Sequence, residues 1–163
     1  MEETFETYVS ASGKTLKIIS DAQSVKEIEF VTETGPDSSV QPEILKKAAL
    51  QLEEYLSGKR ETFELKLDPE GTGFQKKVWD LLQTIPFGKT RTYAWMADQL
   101  GDPKVIRAAA SANGKNPIAI VIPCHRVIGS DGSLTGYAGG LDNKRFLLEL
   151  ERANGVLTLF NEK

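Results

Sequence analysis

"TYAWMADQLGDPKVIRAAASANGK", residues 92–115, decides how the second half of this chain folds. Thr92 can cap a helix over YAWMADQL, and Gly101 ends it. Asp102 then stands as an N-cap with Pro103 in the first helical position, a strong start for a second helix that Gly114 stops. Two short helices across a Gly-containing turn predict a helix-turn-helix.

Working outward, Phe74 to Leu82 reads as a short helix with Phe74, Val78, Leu81 and Leu82 on one side, ended by TIPFG. Downstream, AIVIP predicts a buried strand. It leads into a Gly-rich loop, GSDGSLTGYAGG, and Asp142 caps a last helix over NKRFLLELERAN that Gly155 ends. Upstream, TFETYVS, KTLKIIS and KEIEFVTE are short, partly alternating strands separated by turn signals. Pro42 to Leu56 is helical, with Ile44, Leu45, Ala48, Ala49, Leu52, Tyr55 and Leu56 at three- and four-residue spacing, and SGK stops it. TFELKL reads as one more strand. The DPEGTG stretch, near residues 68–73, is a linker. The expected division is therefore a strand-rich α+β domain over residues 1–70 and a mostly helical domain over residues 71–163.

Charge changes at the same boundary. Residues 1–72 carry net −7, residues 73–127 net +5 and residues 128–163 net −1. A basic middle in an acidic chain points to a local polyanion surface, or to solvated lysines that merely cluster. The 163 residues are 40% hydrophobic and 26% charged, ordinary for a soluble globular protein. The start lacks the pattern of a signal peptide, and the longest apolar run, IAIVI, is far too short to span a bilayer. One cysteine and one histidine exclude an internal disulfide and any Cys/His zinc cage. A reducing, cytoplasmic setting and no metal are expected.

That single cysteine and single histidine stand side by side in IPCHRVIG, residues 122–129. A free thiol of pKa about 8.5 is roughly 3% thiolate at pH 7, so full ionisation raises reactivity about 30-fold at most. Positioning and leaving-group stabilisation must supply most of any catalysis. On an extended chain adjacent side chains point to opposite faces, so a direct Cys124–His125 contact is awkward, and a bridging water with a carboxylate behind the histidine suits the pair better. A lone cysteine after a buried strand is also an ordinary small core residue. Spacing alone leaves both readings open.

IPCHRV, preceded by NP and followed by GYAGGLDNKRFLLELE, closely resembles the active-site region of the O6-alkylguanine-DNA alkyltransferases, the methylated-DNA–protein-cysteine methyltransferases. The likeness runs in register from about Gly73 to Glu151. The N-terminal region resembles the family's ribonuclease-H-like domain in size and strand order, and the remainder its winged-helix-like domain. The resemblance implies an α+β fold and single-turnover repair, in which the alkyl group of O6-methylguanine, with O4-methylthymine as a second substrate, moves irreversibly to Cys124 after the base is flipped. His125 would deprotonate Cys124 through a water, Glu151 would orient the imidazole, and Asn116 would brace the turn. Tyr93 would crowd the target phosphate and bond the base. Arg107 would fill the gap left in the duplex, with Lys104, Ala108, Ala109, Lys115 and Arg126 also at the DNA. Tyr137 would pack along the alkyl group, the Ala138 amide would face O6, the carbonyls of Cys124 and Val127 would receive the guanine amino group, and Thr135 would line the wall.

The residues themselves agree with several of these roles. A base inside a duplex hides O6, so it must be extruded, and something must hold the vacancy. The sparse AAASA, residues 108–112, suits close approach in a minor groove better than base reading in a major one. Lys89, Arg91, Lys104 and Lys115 fit phosphate contacts. Ala119 stands where many relatives carry proline and Thr135 where glycine is frequent, which alters the pocket walls. The resemblance implies no cofactor and a monomer on double-stranded DNA, with cooperativity left open. The rival reading is a protein that binds alkylated DNA without repairing it; such relatives replace the acceptor cysteine.

Overall fold

The computed structural model describes residues 3–154. The chain divides into two compact units, Met1–Glu70 with Pro117–Ala119, and Gly71–Asn116 with Ile120–Lys163.

In the first unit, strands β1 (Phe5–Ala11), β2 (Lys14–Ser20) and β3 (Val25–Val31) form an antiparallel sheet in that order. The β1–β2 turn places Ser12 and Gly13 at φ 54° and 77°, the positive pair whose twist matches a two-residue hairpin. Helix α1 (Glu43–Leu56) buries Leu45, Ala48, Leu52, Tyr55 and Leu56, one stripe at helical spacing. Val9, Leu16, Ile18, Val25 and Ile28 supply the buried apolar residues of the sheet.

The expected strand over residues 62–67 does not form. It meets the sheet only where Leu67 pairs with Val25, the Val25 N–H donating to the Lys66 carbonyl at 2.9 Å. At Glu64 the backbone is instead taken by the Gln51 side chain, whose Oε1 accepts from the Glu64 N–H at 3.0 Å. Further along β3, Ile118 forms a second single-residue bridge, opposite Ile28. The expected strand AIVIP, residues 119–123, is thus also overturned: beyond Ile118 the chain turns, and Ile120 sits at φ 72°. That is a left-handed conformation, costly for a β-branched side chain by about 1–3 kcal/mol, and Ile120 is fully buried there.

In the second unit, α2 (Gly73–Leu82) begins with a reciprocal cap: Thr72 Oγ1 accepts from the Gln75 N–H, and Gln75 Oε1 accepts from the Thr72 N–H. Its core face is Val78, Trp79 and Leu82, while Phe74 stays exposed. The Trp79 ring lies against Gly71, and its indole N–H donates to the Ala112 carbonyl at 2.9 Å.

A short strand β4 (Arg91–Thr92) leads into α3 (Tyr93–Gln99), capped as expected by Thr92, whose Oγ1 accepts from the Trp95 N–H. Gly101 turns the chain at φ 91°. Asp102 Oδ1 accepts from the Lys104 N–H, and a 3₁₀ turn, Pro103–Val105, runs into α4 (Ile106–Gly114). The helix-turn-helix is therefore present, its second helix opening with one tighter turn. Strand β5 (Val127–Ile128) pairs parallel to β4. Helix α5 (Leu141–Asn154) starts one residue before Asp142, which lies in the first turn, where a negative charge is favoured, instead of at the cap. The expected stop at Gly155 lies outside the described residues.

Candidate active site

Cys124, His125 and Arg126 form a 3₁₀ turn and are all buried. The turn is entered through a tight bend at Pro123, closed by the Cys124 N–H donating to the Ile122 carbonyl at 2.8 Å. In a 3₁₀ turn successive side chains diverge by about 120°, so Cys124 and His125 point to different neighbours although adjacent in sequence.

The Cys124 thiol is held by Asn116. Its Nδ2 donates to the Ile122 carbonyl at 2.7 Å and lies 3.1 Å from Sγ. Burial pushes the thiol up to about 11, more than offsetting the Asn116 bond and the positive field of Lys144. It therefore rests protonated, far less ionised than an exposed cysteine, and a base is required.

His125 Nε2 lies 2.7 Å from Glu151 Oε2, with both side chains fully buried. Burial lowers the imidazole below its ordinary value, outweighing the attraction of Glu151. Burial alone would raise the Glu151 carboxyl; the bonds from His125 and Arg126 win and hold it well below the usual carboxylate range. An anionic Glu151 accepts, so Nε2 carries the imidazole proton and Nδ1 presents its lone pair. Among the described residues Nδ1 bonds to no protein atom. This is the arrangement of a neutral base with its tautomer set from behind.

Helix α5 supplies the carboxylate through its register. Lys144, Leu147, Leu148 and Glu151 recur at helical spacing and are all buried. The Lys144 ammonium donates to the carbonyls of Val127 at 2.7 Å and Thr135 at 2.8 Å, tying the Cys-His turn to the Gly-rich loop. Burial brings it down to about 8, against the raising effect of Cys124. Sequence reasoning missed Lys144 as a site residue. Its signal was positional: seven residues before Glu151, it shares that residue's helix face.

The Tyr93 hydroxyl is 3.4 Å from both the Thr135 carbonyl and Thr135 Oγ1, joining the start of α3 to the loop. Tyr137 is half-buried, and burial, with Cys124 and Glu151 nearby, raises its phenol well above the ordinary value. Ala138 and Thr135 are exposed on the same loop. The Val127 carbonyl already accepts from Lys144, so only its second lone pair is open to a ligand.

Lys104, Arg107, Ala108 and Lys115 are exposed, at spacings that place them along one side of α4 and the turn before it. Two residues expected at the DNA have buried side chains. Ala109 is fully buried, because α4 packs that side against its neighbours and only a small residue fits. Arg126 is buried as well. Its Nε and Nη2 donate to the two Glu151 oxygens at 2.8 and 2.9 Å, its Nη1 donates to the Ile85 carbonyl at 2.7 Å, and its guanidinium lies over the Phe87 ring. Its charge is committed to the interior.

Comparison with known proteins agrees over both halves. Residues 73–153 match the family model for the DNA binding domain of 6-O-methylguanine DNA methyltransferase, and residues 5–69 match that for its ribonuclease-like domain. A methylated-DNA–protein-cysteine methyltransferase of Methanosarcina barkeri is 52% identical over 146 residues, covering 90% of each chain. One of Haemophilus influenzae is 41% identical, over 93% of this chain and 88% of its own. The crystal structure of Mycobacterium tuberculosis O6-methylguanine methyltransferase superposes with a TM-score of 0.83 at 39% identity, over 94% of this chain and 95% of that one. That of M. tuberculosis OGT in complex with DNA gives 0.81 at 40% identity, with the same coverage of each chain.

Proposed function

The chain belongs to the 6-O-methylguanine DNA methyltransferase family, and from that premise we propose how its residues divide the reaction. It repairs methylated DNA by direct reversal, taking the methyl group onto a cysteine of its own, and DNA is its partner. The reading that it binds DNA without repair is not favoured, since its relatives are methyltransferases and it retains a cysteine.

Cys124, the single cysteine of the chain, is the acceptor. One observation carries the assignment: its buried Sγ is held by Asn116 in the same turn as a histidine whose Nε2 is fixed by Glu151. With the thiol near 11, ionising it ahead of attack at pH 7 costs about 5 kcal/mol. His125 Nδ1 takes that proton, through a bridging water, as sulfur attacks the alkyl carbon on guanine O6 in duplex DNA. The C–O bond breaks, its electron pair passes into guanine, and Tyr93 donates to a ring nitrogen to offset the charge. The product is a thioether with no ionisable proton and no ready hydrolysis, so each molecule acts once.

The target base is flipped out at a cost of a few kcal/mol. Arg107 fills the vacancy, while Ala108 allows close approach and Lys104, Lys115, Lys89 and Arg91 meet phosphates. Tyr137, Ala138, Thr135 and the second lone pair of the Val127 carbonyl shape the base pocket. In this reading residues 71–163 bind DNA and accept the alkyl group, the protein works as a monomer without a cofactor, and its setting is the cytoplasm. Among the described residues no helix is long and apolar enough to cross a membrane.

Intact mass after incubation with a duplex bearing one O6-methylguanine, with peptide mapping, tests the assignment. The expected result is one methyl on Cys124, saturating at one per protein and absent in Cys124→Ser. A DNA-binding sample that gains no methyl would overturn it in favour of binding without repair.

A further inference from the structure

Arg126 holds a position that none of the bond-making and bond-breaking steps of the transfer reaction uses. Its fork takes both oxygens of Glu151, and His125 Nε2 shares one of them. The guanidinium is fixed from behind by the Ile85 carbonyl and the Phe87 ring. This is a buried three-member array, cation, carboxylate and imidazole, in which only the imidazole has an unpaired ring nitrogen among the described residues.

The three members have unequal freedom to titrate. Arginine does not release its proton in a protein, so its fork holds Glu151 anionic at any working pH. With His125 as its sole partner, a buried carboxylate would be satisfied best by an imidazolium, because two opposite charges in a poorly polarisable interior stabilise each other. An imidazolium has protons on both nitrogens and cannot accept one from a thiol. A second, permanent cation removes that pressure: Glu151 stays charged while His125 stays neutral.

We propose that Arg126 is a positioning residue for alkyl transfer: by taking both Glu151 oxygens it holds the carboxylate for His125 while sparing the imidazole from protonation, so that Nδ1 remains a base toward Cys124. The proposal rests on the assignment of Cys124 and His125 above. The proton balance is unchanged by it: the Cys124 proton goes to Nδ1, the S–C bond forms, the C–O bond breaks and its electrons go to guanine. The charged or titratable groups acting on His125 are Glu151 and Lys144 from α5 and Arg126 from its own turn. Cys124 lies beside it in that turn, and Tyr137 lies close to Cys124 and Glu151. Arg126 and Lys144 act against protonation of His125 and Glu151 acts for it, in line with the depressed imidazole.

The chain has a single histidine, so one imidazole C–H signal in a proton NMR titration reports on His125 without ambiguity. In the wild-type protein without DNA, His125 is expected to titrate below the ordinary histidine value; titration at or above that value overturns the proposal with no variant needed. In Arg126→Gln the titration moves up in pH. Methyl transfer at pH 6, relative to the variant's own alkaline plateau, then falls about tenfold further than in the wild type. Arg126→Lys, whose ammonium cannot span both oxygens, moves in the same direction by less and serves if the glutamine variant does not fold. A titration and a pH–rate profile unmoved in a folded variant, with only the plateau and the melting temperature lowered, would show Arg126 to be structural and overturn the proposal. Failure of the wild type to methylate Cys124 at any pH would instead sink the underlying assignment, and it leaves the NMR result standing on its own.

Discussion

Burial raises the Cys124 thiol, and the groups that counter it act on the sulfur directly. Asn116 does two jobs with one amide: its Nδ2 fixes the Ile122 carbonyl and lies 3.1 Å from Sγ. A hydrogen bond to a charged acceptor is worth about 1.5–3 kcal/mol, so its benefit is felt mainly by the thiolate that forms on the way to transfer. Asn116→Ala should therefore slow single-turnover methyl transfer by about 10- to 100-fold. Alkylation by iodoacetamide, which needs no DNA, should slow by a similar factor. A rate within twofold of wild type in both assays would mean that the amide braces the turn without touching the chemistry.

Small residues do different work on the two sides of α4. Ala109 and Ala112 are buried, while Ala108 and Ser111 are exposed beside Arg107. Ala109→Leu should overpack the interior and destabilise the protein by about 1–3 kcal/mol, measured by urea unfolding. Ala108→Leu should leave stability within about 0.5 kcal/mol but weaken DNA binding, because bulk is added only on the exposed side. Equal stability losses at the two positions would contradict this division. The AAASA run was thus legible as sparse, but not which of its members were sparse for packing. Helix ends were read correctly where their cause is local: Thr92 and Asp102 cap from within three residues. The misread segments answer to distant partners. Residues 62–67 lose their ladder to the Gln51 side chain, and the apolar run at 118–122 is buried in a turn, which an unbroken run of apolar residues does not distinguish from a strand. For the same reason the burial of Arg126 was not legible: its partners, Glu151 and Ile85, are 25 and 41 residues away. The Cys-His pair stood out by rarity alone, whereas its carboxylate came from the family resemblance.

Over the whole molecule, the buried titratable groups of this one site should set the pH dependence of stability. His125 and Glu151 are both lowered on folding, hence at acid pH the unfolded chain binds more protons than the folded one. Stability then rises with pH across each window. On acidification it should begin to fall as pH drops through about 6.5, where an unfolded histidine charges, and fall further below about 4.5, where an unfolded glutamate protonates. Below about pH 10, where the raised Tyr137 phenol does not yet contribute, the alkaline side pits two groups of the site against each other. Lys144 drops from 10.5 to about 8, so between these values the unfolded chain holds the extra proton and stability climbs. Cys124 rises from 9.0 to about 11, so above 9 the folded chain holds the extra proton and stability declines. Between about 9 and 10 the two slopes oppose each other, and urea midpoints of the unreacted protein should be nearly flat. A thioether at Cys124 has no proton to lose, which deletes one slope and leaves the other. The methylated protein should therefore gain stability from about pH 9 to 10 relative to its own value at pH 9, while the unreacted protein, which gains only between about pH 8 and 9, stays nearly flat there. Parallel alkaline profiles before and after methylation would show that Lys144 and Cys124 do not share this linkage.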